Sequence, residues 1–176
     1  MNLRAALVFI VLCGSALAQK PVEPGPEVKK LDFFVGTWVA DGTISSGPWG
    51  AGGNYTKTHK FEWMTGNFAL LNRTESKMPA ELGGDTVSVS LISYDVQKKA
   101  YIDAGFDNRG GYSVTESTLS GDTWISTSSE KLPDGQVIQQ RETTKMLSPN
   151  SYRAKFEVSK DGTNWQVMMD SIVTKK

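Results

Sequence analysis

The sequence predicts an all-β fold, an antiparallel up-and-down β-barrel of about ten strands with a short N-terminal helix. Three observations predict it. Short alternating segments recur at near-regular spacing, separated by turns rich in Gly, Asn, Asp and Pro. They follow one another as hairpins, without the helical crossovers that a parallel sheet needs. Finally, residues 139–145 read Gln-Gln-Arg-Glu-Thr-Thr-Lys and are polar on both faces whichever alternation is chosen. A dry sandwich core rejects such a strand, whereas a solvated or ligand-filled barrel interior accepts it.

The N-terminus stands apart from the fold. Arg4, an apolar run over 5–12 and Ala16-Leu17-Ala18 have the order of a cleavable secretory signal: a charge, a hydrophobic stretch and a small-x-small cleavage site. The expected organisation is a signal peptide over 1–18, a flexible lead-in over 19–30 and a barrel domain over 31–176. Cleavage after Ala18 would leave about 158 residues, a single domain, in a secreted or periplasmic location. Cys13, the sole cysteine, lies inside the signal. The mature chain therefore has no disulfide, thiol nucleophile or cysteine zinc site. The formal charge is 0 for the whole chain and becomes −1 without Arg4. Such a balance supplies no basic field for nucleic acid or an anionic membrane. Nothing after residue 18 has the length and apolarity to span a bilayer as a helix, so no membrane insertion is expected.

The elements follow in order. Over 27–34, Val28, Leu31 and Phe34 recur at helical spacing. So short a helix holds only when packed, and it is expected as a plug on one barrel end. The strand over 35–44 comes next. Residues 45–53 hold four glycines, Pro48 and Trp49. They make a long loop with one exposed aromatic, suited to a contact surface or a homodimer seam. Segments 55–64 and 68–76 flank Gly66-Asn67, a two-residue type II′ turn. That register pairs Trp63 with Leu70, Phe61 with Asn72 and His59 with Thr74. Segments 86–94 and 99–106 are joined by 95–98, which pairs Ile92 with Tyr101 and Ser90 with Asp103. Segments 112–119, 123–129, 137–147, 152–159 and 164–173 complete the barrel, with turns at Gly121-Asp122, Pro133-Asp134-Gly135, Pro149-Asn150 and Asp161-Gly162.

The lead-in Leu31-Asp32-Phe33-Phe34 before Gly36-Thr37-Trp38, with a meander of short strands after it, resembles the lipocalin and fatty-acid-binding (calycin) superfamily. Phe61-Glu62-Trp63-Met64 with Gly66, Ile92-Ser93-Tyr94-Asp95, residues 101–110 and Ser159-Lys160-Asp161-Gly162 make the chain similar to a bacterial secreted family of lipocalin-like domains of unknown function. The resemblance implies a barrel with a small-ligand cavity and no particular reaction. Gly36 and Trp38 would close one end of the barrel. The nitrobindin family is a more distant likeness through Gly36, Trp38 and Gly42, with Ala40 replacing a glycine of its pattern. Its haem-binding histidine lies near the C-terminus, and no histidine follows His59 here. No cofactor and no metal are therefore expected.

His59 is the sole imidazole, so any general base near neutral pH falls first to it. A lone histidine makes neither a triad nor a histidine metal cluster. Asp103 would point inward opposite Ser90, and Asp107-Asn108 reads as a turn into Arg109-Gly110-Gly111. Around Pro149-Asn150 two registers compete. A two-residue turn pairs Arg141 with Val158 and points Arg141 inward, where a guanidinium anchors a ligand carboxylate. A three-residue loop puts Glu142 and Thr144 inside instead. With Arg141 taken from the first register, the candidate ligand-binding set is His59, Phe61, Trp63, Leu70, Asn72, Tyr101, Asp103, Arg141 and Phe156. The leading expectation is a binding protein for a small, mainly apolar or amphipathic ligand. An isomerase or hydrolase using His59 or Asp103 as base is the catalytic alternative, and an interaction module built on Trp49 is the third.

Overall fold

The computed structural model describes residues 22–132 and 134–176. The signal peptide, its cleavage site and the first part of the lead-in lie outside the described residues. The chain opens with a helical turn, α1 (Pro26–Lys29), continued by a 3-10 turn over Lys30–Phe34. Ten strands follow: β1 (Gly36–Ile44), β2 (Gly53–Trp63), β3 (Leu70–Lys77), β4 (Thr86–Asp95), β5 (Ala100–Asp107), β6 (Tyr112–Ser120), β7 (Thr123–Lys131), β8 (Val137–Ser148), β9 (Ser151–Ser159) and β10 (Gln166–Lys175). Each strand pairs antiparallel with its sequence neighbours, and β10 returns to β1 to close the barrel. The all-β up-and-down barrel is as the alternating hairpins predict.

The helical segment plugs one end. Leu31 is fully buried and Val28 nearly so, which for Leu31 contributes about 1.5–3 kcal/mol. Three strands tie down the plug through aromatic polar tips, an economical use of amphipathic rings. Trp38 Nε1 donates to the Phe34 carbonyl at 2.6 Å, and Trp63 Nε1 donates to Asp32 Oδ1 at 2.8 Å. The Tyr101 hydroxyl lies 3.1 Å from both the carbonyl and a carboxylate oxygen of Glu27.

Gly36 and Trp38 act together at this end. Gly36 has φ +120°, and a Cβ there would lie 2.7 Å from Lys175 Cε. The Lys175 chain fills that space and carries its ammonium to 5.3 Å from the Trp38 ring. Further along β1, a Cβ on Gly42 would lie 3.1 Å from the Tyr55 ring. The bare backbone lets Tyr55 cross β1 from β2 and donate to Ser171 Oγ of β10 at 2.9 Å.

Three local expectations are corrected. The β2–β3 register is as derived, with Trp63 on Leu70, Phe61 on Asn72 and His59 on Thr74. The turn, however, is not a two-residue one: Gly66 and Asn67 both have positive φ, Asn67 N–H donates to the Met64 carbonyl, and Met64 pairs with Ala69. A longer reversal of the right total length leaves the register unchanged. Between β4 and β5 the pairing is Ile92 with Asp103 and Ser90 with Gly105, two residues from the derived one. Asp95 extends β4 and caps the turn by accepting from the N–H groups of Gln97 and Lys98. A shift of two keeps parity, so Asp103 still faces inward. Trp49 is half-buried, its ring 6.0 Å from that of Phe156. The most exposed large aromatics are instead Phe106 and Tyr112 on the outer wall, 4.8 Å apart.

Candidate functional site

The inner face of β1 carries Gly36, Trp38, Ala40 and Gly42, opposite Phe61, His59, Lys57 and Tyr55 of β2. Small side chains on one strand leave room that the plug fills at one end only. Beyond the plug lies a cavity of about 260 Å³.

Its floor is aromatic. Phe34 of the plug packs against Trp124 at 5.4 Å, Phe61 at 5.7 Å and Tyr152 at 6.0 Å between ring centroids. Tyr101 lies 4.1 Å from Trp124. These separations suit tilted and edge-to-face ring pairs. Trp124 Nε1 is a buried donor without a partner among the described residues.

Above the floor the lining turns polar. Asp103, Thr115, Ser117, Ser126, Glu142 and Thr144 project from β5 to β8, while Lys57, His59 and Asn72 project from β2 and β3. In a ring of ten strands, β2 stands opposite β7. One wall thus presents carboxylates and hydroxyls and the facing wall the imidazole and the Lys57 ammonium, while β9, next to β8, adds Lys155, whose ammonium pairs with Glu157.

The barrel wall sets the protonation of these groups. Burial pushes the His59 imidazole down to about 4; the Lys57 charge acts in the same direction, and Asn72 opposes them. His59 Nδ1 lies 2.9 Å from Thr74 Oγ1, which itself donates to Asn72 Oδ1 at 3.3 Å. The single Thr74 proton is engaged with Asn72, so Nδ1 carries the histidine proton and Nε2 remains an acceptor. The ring stacks on Phe61 at 5.8 Å. Burial likewise raises the Asp103 carboxyl to about 6, helped by the Glu142 charge and opposed by Ser90. Burial lowers the Lys57 ammonium, and Glu142 opposes that shift. A depressed histidine, a depressed lysine and a raised carboxyl share one concave site, the combination in which function concentrates.

Of the residues singled out from the sequence, His59, Phe61, Asn72, Tyr101, Asp103 and Phe156 line the cavity. Trp63, Leu70 and Arg141 are not among its lining. Trp63 holds the plug, and Leu70 is fully buried in packed core. Arg141 is the main correction. It pairs with Glu157, while Glu142 pairs with Phe156. The two-residue turn holds, with Ser148 on Ser151, but a bulge between Met146 and Ser148 shifts the register by one residue, which turns β8 up to Met146 to the other face. Arg141 therefore sits on the outer wall, donating to Glu157 at 3.0 Å and stacking 4.1 Å above Trp165. Asp107 accepts from the N–H groups of Arg109 and Gly111, which is the turn role expected of it.

Sequence reasoning missed Lys57 and Tyr55. Both share the parity of His59 and Phe61 on β2, so extending that alternation by four residues would have found them. Trp124 had no such signal, because its inward direction depends on the β6–β7 register.

A family model described as "Protein of unknown function (DUF1579)" matches residues 23–175. The chain is similar to the crystal structure of Rv2717c from M. tuberculosis, at 12% sequence identity and a TM-score of 0.56. That alignment covers 88% of this chain and 99% of the other. At that identity the likeness concerns the fold alone. No curated protein matches the sequence.

Proposed function

The chain belongs to the DUF1579 family of proteins of unknown function, and from that premise we propose that it binds a small amphipathic molecule inside the barrel. The observation that carries this reading is the two-part lining, an aromatic floor beneath a belt of polar side chains. An apolar body gains most from the floor, and a few placed polar groups fix its orientation. The proposal extends to a lipocalin-like mode of use, with the ligand entering at the end away from the plug. It also places the mature protein in a secreted or periplasmic compartment, on the strength of Arg4, the apolar run over 5–12 and Ala16-Leu17-Ala18.

The test is a titration of the purified protein with fatty acids and small aromatic compounds, followed by intrinsic tryptophan emission. Trp124 in the floor and Trp38 beside it should report occupancy as a saturable change. A flat response across the whole panel would remove the binding reading.

A catalytic second reading rests on Asp103, whose carboxyl is held near 6 and which lines the same cavity as a neutral His59. Such a pair suits proton transfer to and from a bound substrate. Solvent-deuterium incorporation into a ligand found by the titration would support it. Ligand recovered unlabelled after long incubation would dismiss it.

A further inference from the structure

The two interior charges that face each other across the cavity do not meet. Lys57 of β2 and Glu142 of β8 both line it, yet among the described residues neither closes an ion pair within 4.0 Å. The ion pairs that do close, such as Arg141 with Glu157 and Arg153 with Asp170, lie on the outer wall. An ammonium desolvated by the wall and left without an anion is a costly arrangement for a binding-free protein. Glu142 likewise closes no ion pair among the described residues, but it is solvent-exposed and holds its charge at the cavity's open side, with Asp103 on the same wall.

We propose that the ligand is a small amphoteric molecule, with an anionic group for Lys57, a protonated amine for Glu142 and an apolar body for the floor. This rests on the binding reading above and narrows it to a chemical class. A molecule with an acid alone would satisfy Lys57 and bring its charge before Glu142 and Asp103. A molecule with an amine alone would satisfy Glu142 and confront Lys57. A ligand carrying both charges opposes each wall with the complementary sign, and in a partly desolvated site such charge-assisted bonds are strong. His59 Nε2 offers a further acceptor to the amine. Phe61, Trp124 and Tyr152 receive the apolar body.

The test is calorimetric titration of the whole protein with four compounds of one aromatic body. Phenylalanine and para-aminomethylbenzoate carry both charges at two spacings, hydrocinnamate carries the acid and phenethylamine the amine. At least one amphoteric compound should bind about tenfold tighter than both single-charge analogues. Lys57→Met should reduce it to the affinity of phenethylamine, and Glu142→Gln to that of hydrocinnamate. Lys57→Met removes a desolvated charge and Glu142→Gln an exposed one, so both variants should fold, which a cooperative melt verifies. A single-charge analogue binding as tightly as the amphoteric pair, or variants that keep the preference, would overturn the proposal. Uptake of neutral N-phenylnaphthylamine without any charge preference would overturn it while leaving the small-molecule reading in place. No uptake of any of these compounds would remove both.

Discussion

The indole Nε1 of Trp38 donates to the carbonyl oxygen of Phe34 at 2.6 Å, four residues upstream. This short loop of chain joins the first strand to the plug, and Phe34 in turn touches Phe61, Trp124 and Tyr152. The bond therefore couples barrel closure to the floor of the cavity.

Trp38→Phe should keep the ring and lose the donor. The Phe34 carbonyl would then be left unpartnered at a cost of about 1–3 kcal/mol. Trp38→Ala should cost about 3–5 kcal/mol, because a cavity is added. Urea midpoints measure both. A Trp38→Phe midpoint equal to that of the parent would show that the hydrogen bond contributes nothing.

The acid-range stability profile should reveal two opposed titrations. His59 has a folded value of about 4 against an ordinary 6.5. Between those values the unfolded chain binds the extra proton, so His59 makes stability rise with pH. Asp103 has a folded value of about 6 against an ordinary 3.8. There the folded state binds the extra proton, and Asp103 makes stability fall with pH over nearly the same window. The parent should thus be flatter than either variant. Asp103→Asn should grow more stable from pH 4 to 6.5, and His59→Gln less stable from pH 4 to 6. Denaturant unfolding at stepped pH measures the slopes, and variants with parallel profiles would contradict the assignment.

On the outer wall, Glu157 holds two cations at once, Arg141 at 3.0 Å and Lys155 at 3.0 Å. Its own side chain is 6% exposed, whereas theirs are about one-third exposed. Glu157→Gln should destabilise by about 1–3 kcal/mol, between the limits for surface and buried pairs. Arg141→Met should cost about 1 kcal/mol or less, since Lys155 still neutralises Glu157. Neither substitution should alter ligand binding, because both residues lie outside the cavity wall that the ligand meets. A larger loss for Arg141→Met than for Glu157→Gln would reverse this hierarchy.

Alternation and turn residues were sufficient for the barrel, for the plug and for the inward direction of β2 and β3. His59 and Phe61 were legible because the β2–β3 connection, although of a different turn type, has the length that Gly66-Asn67 implied. Asp103 was legible by parity, since a two-residue error in the β4–β5 register leaves the face unchanged. Arg141 was not legible. Pro149-Asn150 forms the two-residue turn that points Arg141 inward, and only the strand bulge next to Met146 turns it outward.

The chain's own order of residues determined that many short strands must pair as successive hairpins, because side-chain alternation and turn chemistry are local properties. It also determined that the interior must accept polar groups, since residues 139–145 offer no apolar face. Only the closed tertiary structure decided which of those groups meet. Lys57 and Glu142 lie 85 positions apart in sequence, and their confrontation depends on ring closure between β1 and β10 and on one bulged residue in β8. Registers add up around a barrel, so one slipped residue exchanges the inner and outer faces of a strand and with them the charge that a ligand meets.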